Sequence, residues 1–573
     1  MKKRITLAVA LILATFGITN ACTNFIVAKG ASADGSTMVT YAADSYWLYG
    51  SLYHYPAATY PDGAMLDIYE WDSGNFLGKI KQVNQTYNVV GNMNEHQLTI
   101  GETTWGGREE LIDTTGIMDY GSLIYVTLQR AKTAREAIVT IVNLVNEYGY
   151  FSSGESFSIV DPNEAWIMEL IGKGPGSKGF VWVARRIPDD CISGHANQAR
   201  ITTFPLESRK DKTTISSKNL KKIYNPEVTT VYAHDVIKFA REKGYFNGKD
   251  AEFSFSDTYN PLDFSGVRAC EARVWSFFRR HDRSMDKYLS YIMCDTKERM
   301  PLWIVPERKL SVKDLQDAMR DHYEGTPLDM SKGQGAGPFN SVYRMTPLIY
   351  KHNGKEYFQE RPVATQQTGF SFIAQMRDYA PAEAGGILWF GLDDATCNIY
   401  VPIYSCITEI PESMSENNGS ILDFSWTSAF WINNWVASMV YPRYSMLYPE
   451  VKKRQGKLEH EFFNDVEEAD RYIAQLIKEG NSQEVRTFLN QFCQIEAEKA
   501  INTWRKLGEY LMVKYLDDAI KGEKNGQFDG NHKRIPNKVT RPGYPAEYIE
   551  KEFVRPNPER FRVKTAEEME QRK

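Results

Sequence analysis

The sequence predicts an α+β protein of stacked, largely antiparallel sheets with helices outside and a helical C-terminal extension. Three observations predict it. Short strand-like runs fold back through tight turns, amphipathic helical runs interrupt them, and from about Glu459 the periodicity lengthens to that of long helices.

In chain order, "CTNFIVAKG" and "TMVTYAADS" form the first hairpin around an Asp34-Gly35 turn. A second strand unit is "YNVVGNMNEHQLTIGETTW", from Tyr87 to Trp105. Two helices follow, "SLIYVTLQRA" and "TAREAIVTIVNLVNEYG". The latter opens on the capping box Thr133-x-x-Glu136, closes at Gly149 and carries Ile138, Ile141, Val142 and Val145 as its apolar stripe. Strands resume with "ESFSIVDPNEAWIMELIG", which turns at Asp161-Pro162-Asn163, and with "FVWVARRIPDDCISGHANQARI". "KYLSYIMCDTKERMPLWIVP", "TGFSFIAQM" and "GGILWFGLDDATCNIYVPIYSC" also read as strands, and "SVKDLQDAMRDHYEGT" as a capped helix. These elements divide the chain into residues 1–21, a domain over 22–420, a helical extension over 421–520 and a polar tail over 521–573.

With 573 residues, 42% of them hydrophobic, the chain is long enough for a sizeable core. A net charge of −5 gives no electrostatic reason to expect nucleic acid or an anionic membrane surface as a partner. Lys2, Lys3 and Arg4 followed by the apolar run Ile5 to Ile18 read as a signal peptide, with Thr19 and Ala21 at the −3 and −1 positions of a cleavage site. No later run is apolar and long enough to span a membrane. The expectation is a protein exported to the periplasm or secreted, with a mature chain that begins at Cys22.

The seven cysteines, at 22, 191, 270, 294, 397, 406 and 493, contain no C-x-x-C pair, so a zinc or redox motif is not indicated. Cys397 and Cys406 could pair across a hairpin, and the odd count leaves at least one thiol free unless it bonds another chain, with Cys22 the natural candidate. "GKGPGSKG" (172–179) lacks the ending of a phosphate loop and lies between two strands, so it reads as a hairpin loop. "GQGAGPF" (333–339) lacks the strand–turn–helix context of a dinucleotide site. The histidines are scattered, and His96 and His195 read as structural. Trp105, Trp166, Trp182, Trp303 and Trp389 read as core residues.

Cys22 carries chemistry through its position. As residue one it would hold a thiol and an α-amine on neighbouring carbons, and an amine of pKa ~7.7–8.0 can take the thiol proton as a general base. Lipidation and a disulfide are the competing readings. Against lipidation, Thr19 and Asn20 stand where a lipobox carries aliphatic residues, and Cys22 runs straight into the strand "TNFIV" rather than into a polar tether.

The N-terminal "CTNFIVAKGASADGSTMVTYAADS" resembles the cysteine dipeptidases of the dipeptidase A type, in the N-terminal-nucleophile (Ntn) hydrolase superfamily. The resemblance continues in order through "GNMNEHQLTIGETT", "AKTAREAI", "ESFSIVDPNEAWIMELIGKG", "VWVARRIPDDCISGHANQARI", "DHYEGTPLDMSKGQGAGPF" and "TQQTGFSF…GGILWFGLDD", over roughly 22–410. It implies a four-layer αββα sandwich and hydrolysis of dipeptides or short peptides through an acyl-enzyme, with no metal or cofactor. It also implies roles for residues. Cys22 is the nucleophile, Asp44 holds its amine or thiol, Asn197 supplies the oxyanion hole and Arg273, with Arg268 competing, is the site's arginine. Glu102 and Thr103 would bind substrate. Two positions depart from the pattern. Tyr41 stands where relatives carry an arginine, so positive charge near the nucleophile must come from elsewhere or thiolate activation is weaker. Thr103 stands where bile-salt and penicillin amidases carry an asparagine, which argues against bile-salt hydrolysis. An N-acyl amide hydrolase and a non-catalytic binding lipoprotein remain the alternatives, and a homo-oligomer is left open.

Overall fold

A computed structural model describes residues 22–571. The targeting segment read over 1–21 lies outside the described residues. The principal elements, in chain order, are strands β1 (Asn24–Val27), β2 (Thr37–Asp44) and β3 (Thr99–Gly106) and helices α1 (Tyr120–Leu128) and α2 (Ala134–Tyr148). Strands β4 (Gly154–Val160), β5 (Ala165–Gly172), β6 (Phe180–Arg186) and β7 (Ile192–His195) come next, then helices α3 (Ala272–His281) and α4 (Val312–Met319). Strands β8 (Thr368–Met376), β9 (Gly386–Leu392) and β10 (Val401–Tyr404) precede helices α5 (Ala429–Val440), α6 (Tyr444–Lys478) and α7 (Ser482–Lys514).

The strands form two large sheets. One has seven strands, with β7, β1, β2, β8, β9 and β10 side by side and Trp303–Ile304 at the β7 edge. The other has nine, with β6, β5, β4 and β3 at its centre and short strands at both ends. Pairing is antiparallel except between Thr214–Ser216 and Thr230–Tyr232. β1 and β2 lie against β3 and β4 of the second sheet, and α2 covers the far side of β4, β5 and β6. On the far side of the first sheet, α4 packs on β2 and β8, α5 on β9, and α6 and α7 on β10. Each sheet is therefore covered on both faces, and every residue of β2, β4, β5 and β8 is buried rather than alternately exposed.

Local chemistry explains the boundaries. The Thr133 hydroxyl accepts from Glu136 N to start α2, while the Glu136 carboxylate accepts from Lys132 N, and Gly149 ends the helix at φ 79°. Ser311 and Asp314 form the reciprocal cap of α4. At the β4–β5 turn the Asp161 carboxylate accepts from Asn163 N and Glu164 N.

Three expectations change. Most of "KYLSYIMCDTKERM" is helical turn or irregular, with a strand only at Trp303–Ile304, because the chain leaving α3 continues through short helices up to Ile292. Short apolar runs of this kind do not distinguish helix from strand until their partners are known. The C-terminal helices begin at Ala429, well before Glu459, with Ser428 capping α5 and Pro449 held inside α6. Finally, no disulfide joins Cys397 and Cys406. All seven cysteines are free, and the Cys406 thiol turns to the carbonyl of Glu95.

Candidate active site

Cys22 sits immediately before β1. Thr23 pairs with Ala42 of β2 in both directions, at 3.3 and 3.0 Å, which fixes the start of the described chain against the sheet. The Cys22 side chain is only 8% exposed and lines a cavity of about 520 Å³. Asp44, Glu102 and Asn197 line the same cavity. A bulge between Ala43 and Asp44 breaks the β2–β8 register where Asp44 must turn toward its partners.

Arg273 binds the site together from behind. Its Nη1 donates to the Cys22 carbonyl (2.6 Å) and the Thr23 hydroxyl (2.8 Å). Its Nη2 donates to the Ala196 carbonyl (3.2 Å) and Asn197 Oδ1 (2.9 Å), and its Nε to the Ala269 carbonyl (2.7 Å). One buried guanidinium thus orients both the Cys22 backbone and the Asn197 amide. The competing Arg268 is paired with Glu360 instead. With its carbonyl oxygen on Arg273, Asn197 places Nδ2 2.6 Å from the Thr104 carbonyl. One of the two Nδ2 hydrogens is used there and one remains. Asn197 adopts φ 56°, a left-handed conformation that asparagine tolerates better than most residues.

Asp44 is buried against Arg361, which donates to its Oδ2, while the Thr368 hydroxyl donates to Oδ1 at 2.6 Å. Burial raises the Asp44 carboxyl above the usual value, against the pull of Arg361 and Thr368. Arg361 and Arg273 bring positive charge to the site.

Cys22 Sγ donates to Glu102 Oε1 at 3.2 Å and lies 3.7 Å from the Tyr41 hydroxyl, which donates to the same oxygen. The thiol is pushed well up by burial first and then by the negative charges of Glu102 and Asp44. In this chain, with residues still joined to the Cys22 nitrogen, the sulfur is held as a thiol. Burial raises the Glu102 carboxyl as well, and burial together with the neighbouring Glu102 raises that of Glu155. Two neighbouring buried carboxyl groups do not both ionise readily, so the pair favours holding a proton between them.

Thr103 is not at the cavity. Period-2 alternation turns it away from its neighbours Glu102 and Thr104, and its hydroxyl hydrogen-bonds His195 Nδ1 at 2.7 Å between the sheets. Thr104 lines the cavity in its place. His195 Nε2 bonds the Ser158 hydroxyl at 2.7 Å, and burial holds its pKa down to about 3, so the ring is a neutral inter-sheet tie. His96 packs edge-on against Tyr87. Trp105, Trp166, Trp182 and Trp389 are buried, whereas Trp303 is partly exposed. Trp47 and Trp71 face the cavity. Sequence reasoning did not single out Glu155, although it opens the segment "ESFSIV", nor Arg361, Trp47 or Trp71, whose places around the cavity no local spacing reveals. Among the described residues, no cluster of three or more metal-ligating side chains occurs, and no helix is long and apolar enough to cross a membrane.

A nucleophilic atom, an amide donor and carboxylates around one enclosed cavity are what acyl transfer through a thiol requires. Within the class of cysteine peptidases, the chain belongs to peptidase family C69, whose members have an Ntn-type fold and whose model matches residues 48–457. The match begins just after Asp44, so Cys22 and Asp44 precede it. The chain is 24% identical to a probable dipeptidase of Salmonella dublin over 431 residues, 70% of this chain and 85% of the relative. It is 24% identical to probable dipeptidase A of Streptococcus pyogenes serotype M3 (strain SSI-1), over 74% of this chain and 84% of that protein. It is 22% identical to a dipeptidase of Bifidobacterium longum (strain NCC 2705), over 76% and 80%.

Proposed function

We propose that this chain is an exported cysteine dipeptidase that matures by loss of residues 1–21 and uses Cys22 as an N-terminal nucleophile. On this reading, the stacking of helix, sheet, sheet and helix is the four-layer αββα sandwich of Ntn hydrolases. The freed α-amine takes the thiol proton, and Cys22 Sγ attacks the carbonyl carbon of the scissile peptide bond. The tetrahedral oxyanion is received by the remaining Nδ2 hydrogen of Asn197 together with backbone N–H groups, each donor contributing about 2.7–4 kcal/mol. The protonated amine then gives its proton to the leaving amine, and water releases the acyl group from sulfur. Arg273 positions Cys22 and Asn197, while Asp44 and Arg361 form the charged floor of the site.

The observation that carries the reading is the shared guanidinium, which fixes the Cys22 carbonyl and the Asn197 amide beside one cavity. The test has two parts. The mass of the mature N-terminus should show an unmodified Cys22 with 21 residues removed, and Cys22→Ala should lower dipeptide kcat/KM by at least ~1,000-fold. A diacylglyceryl group on Cys22, or full activity in Cys22→Ala, would overturn the proposal.

A further inference from the structure

The cavity has an unusual charge pattern. Asp44, Glu70, Asp72 and Glu102 contribute carboxyl groups to its wall, and among the described residues no Lys, Arg or His lines it. Asp44 is answered by Arg361 from behind, and the Tyr120 hydroxyl donates to Asp72 at 3.0 Å. Glu102 has no cationic partner among the described residues. It is 1% exposed and its Oε1 accepts only from neutral groups, the Tyr41 hydroxyl and the Cys22 thiol. Oε2 accepts no hydrogen bond from the described residues, and the neighbouring Glu155 Oε2 accepts from the Thr104 hydroxyl at 2.8 Å. Any negative charge on the Glu102–Glu155 pair therefore lies beside the nucleophile with no cation to meet it. A buried charge without a counter-ion is costly, and a site that keeps one is complete only when a cation arrives. Much of the remaining wall is aromatic, including Tyr53, Tyr55, Trp71 and Tyr125, and aromatic faces attract cations as well as apolar side chains.

In a peptide, the α-ammonium nitrogen is two bonds from the carbonyl carbon of the first residue. When that carbon reaches Cys22 Sγ, the ammonium lies within a few ångströms of the sulfur, and Glu102 Oε1 is 3.2 Å from the same atom. The S–H group now donating to Oε1 is a weak donor that an ammonium displaces readily. We propose that Glu102, backed by Glu155, receives the α-ammonium of the substrate's N-terminal residue. The cavity thereby selects short peptides with a free amino terminus, and it disfavours N-acylated peptides and peptides with an acidic first residue. This inference rests on the reading of Cys22 as the nucleophile. It adds a consequence for reactivity, because a bound ammonium offsets the negative charge that opposes ionisation of the thiol.

The test reads binding rather than turnover. In the mature chain carrying Cys22→Ala, alanyl-phenylalanine and its N-acetyl derivative are titrated by calorimetry. N-acetylation should weaken binding on the order of 100-fold, as for loss of one partner of a buried charge pair. Adding Glu102→Gln should weaken the free dipeptide by a similar factor, leave the acetylated one unchanged and so abolish the preference. Glu155→Gln, which can donate an N–H to Glu102, should retain it. Equal binding of the two peptides without any change at Glu102 would overturn the proposal, and so would a preference that survives Glu102→Gln. A Glu102→Gln loss equal for both peptides would assign Glu102 to the enzyme's own α-amine and also overturn it. The acetylation contrast needs no Glu102 variant and stays informative if that variant fails to fold. Because no bond is broken, a failure here is distinct from failure of the dipeptidase reading, which is judged by hydrolysis in the chain with Cys22 intact.

Discussion

Arg273 is the residue on which the most geometry depends. Its five donated hydrogen bonds end on groups contributed by residues 22, 23, 196, 197 and 269, all brought to one point in the interior. A lysine keeps the charge but offers three donors from a single atom, so Arg273→Lys should leave at least two buried acceptors without partners. We expect a loss of about 2–4 kcal/mol in urea unfolding and a larger fractional loss in kcat than in dipeptide affinity, because Cys22 and Asn197 lose their common anchor. His195 gives a pH prediction of definite sign. It is neutral and buried in the folded chain with a pKa of about 3, whereas an unfolded histidine titrates near 6.5. Between those values the unfolded state binds more protons, so this residue's contribution is complete above about pH 6.5 and is lost as pH falls toward 3. The urea midpoint of His195→Asn, compared with the parent at pH 7 and pH 5, should fall less steeply with acid. An equal slope would remove His195 as a source of acid sensitivity.

At the scale of the element, the cavity wall depends on how closely the segment after β2 approaches the start of β8. A Cβ added at Gly50 would stand 1.7 Å from the Gly369 carbonyl oxygen, and one at Gly369 would stand 2.6 Å from the Leu48 side chain, which lines the cavity. The first contact is with backbone and has no easy relief. Gly50→Ala should therefore cost about 2–3 kcal/mol and raise KM as the wall carrying Trp47 and Leu48 is pushed out. A melting temperature and KM equal to the parent's would show that the wall is not so constrained. The helix caps at Thr133 and Ser311 and the turn at Asp161 were readable because each is a local bargain between a side chain and nearby backbone N–H groups. The segment after α3 was misread for the opposite reason: its apolar residues fit either periodicity, and only packing against α3 and its neighbours selects helix.

Across the whole molecule, the C-terminal helices are bound into the core. Arg320, which follows α4, pairs with Glu459 of α6 at 2.5 and 3.0 Å, and both side chains are buried. Trp504 of α7 donates to the Cys397 carbonyl at 2.7 Å, and Arg377, just after β8, pairs with Asp470 at 2.5 Å. From Glu523 to Gln571, in contrast, no residue is buried. Removing residues 524–573 should shift the melting temperature by no more than about 2 °C, whereas Glu459→Ala, which leaves Arg320 charged and buried, should cost about 3–5 kcal/mol. If the truncation melted as low as Glu459→Ala, the tail would have to be counted as part of the folded unit.

The amino-acid order by itself determined what depends on near neighbours and on pattern: the hairpins, the capped helices, the strand-rich body and the change to long helices. The chain's motifs also sufficed to indicate its family. Only the tertiary structure decided which carboxylates, arginines and aromatic rings surround Cys22. Glu102 is 80 residues from Cys22, Arg273 is 251, and Arg361 is 317 from Asp44. Their meeting is set by the order of strands in two sheets, which no local periodicity encodes. Thr103 and Glu102 show the same limit over a single step. They are adjacent in the chain, but the pleat sends one to His195 between the sheets and the other to the thiol, and the sense of that alternation is fixed only when β3 takes its register beside β4.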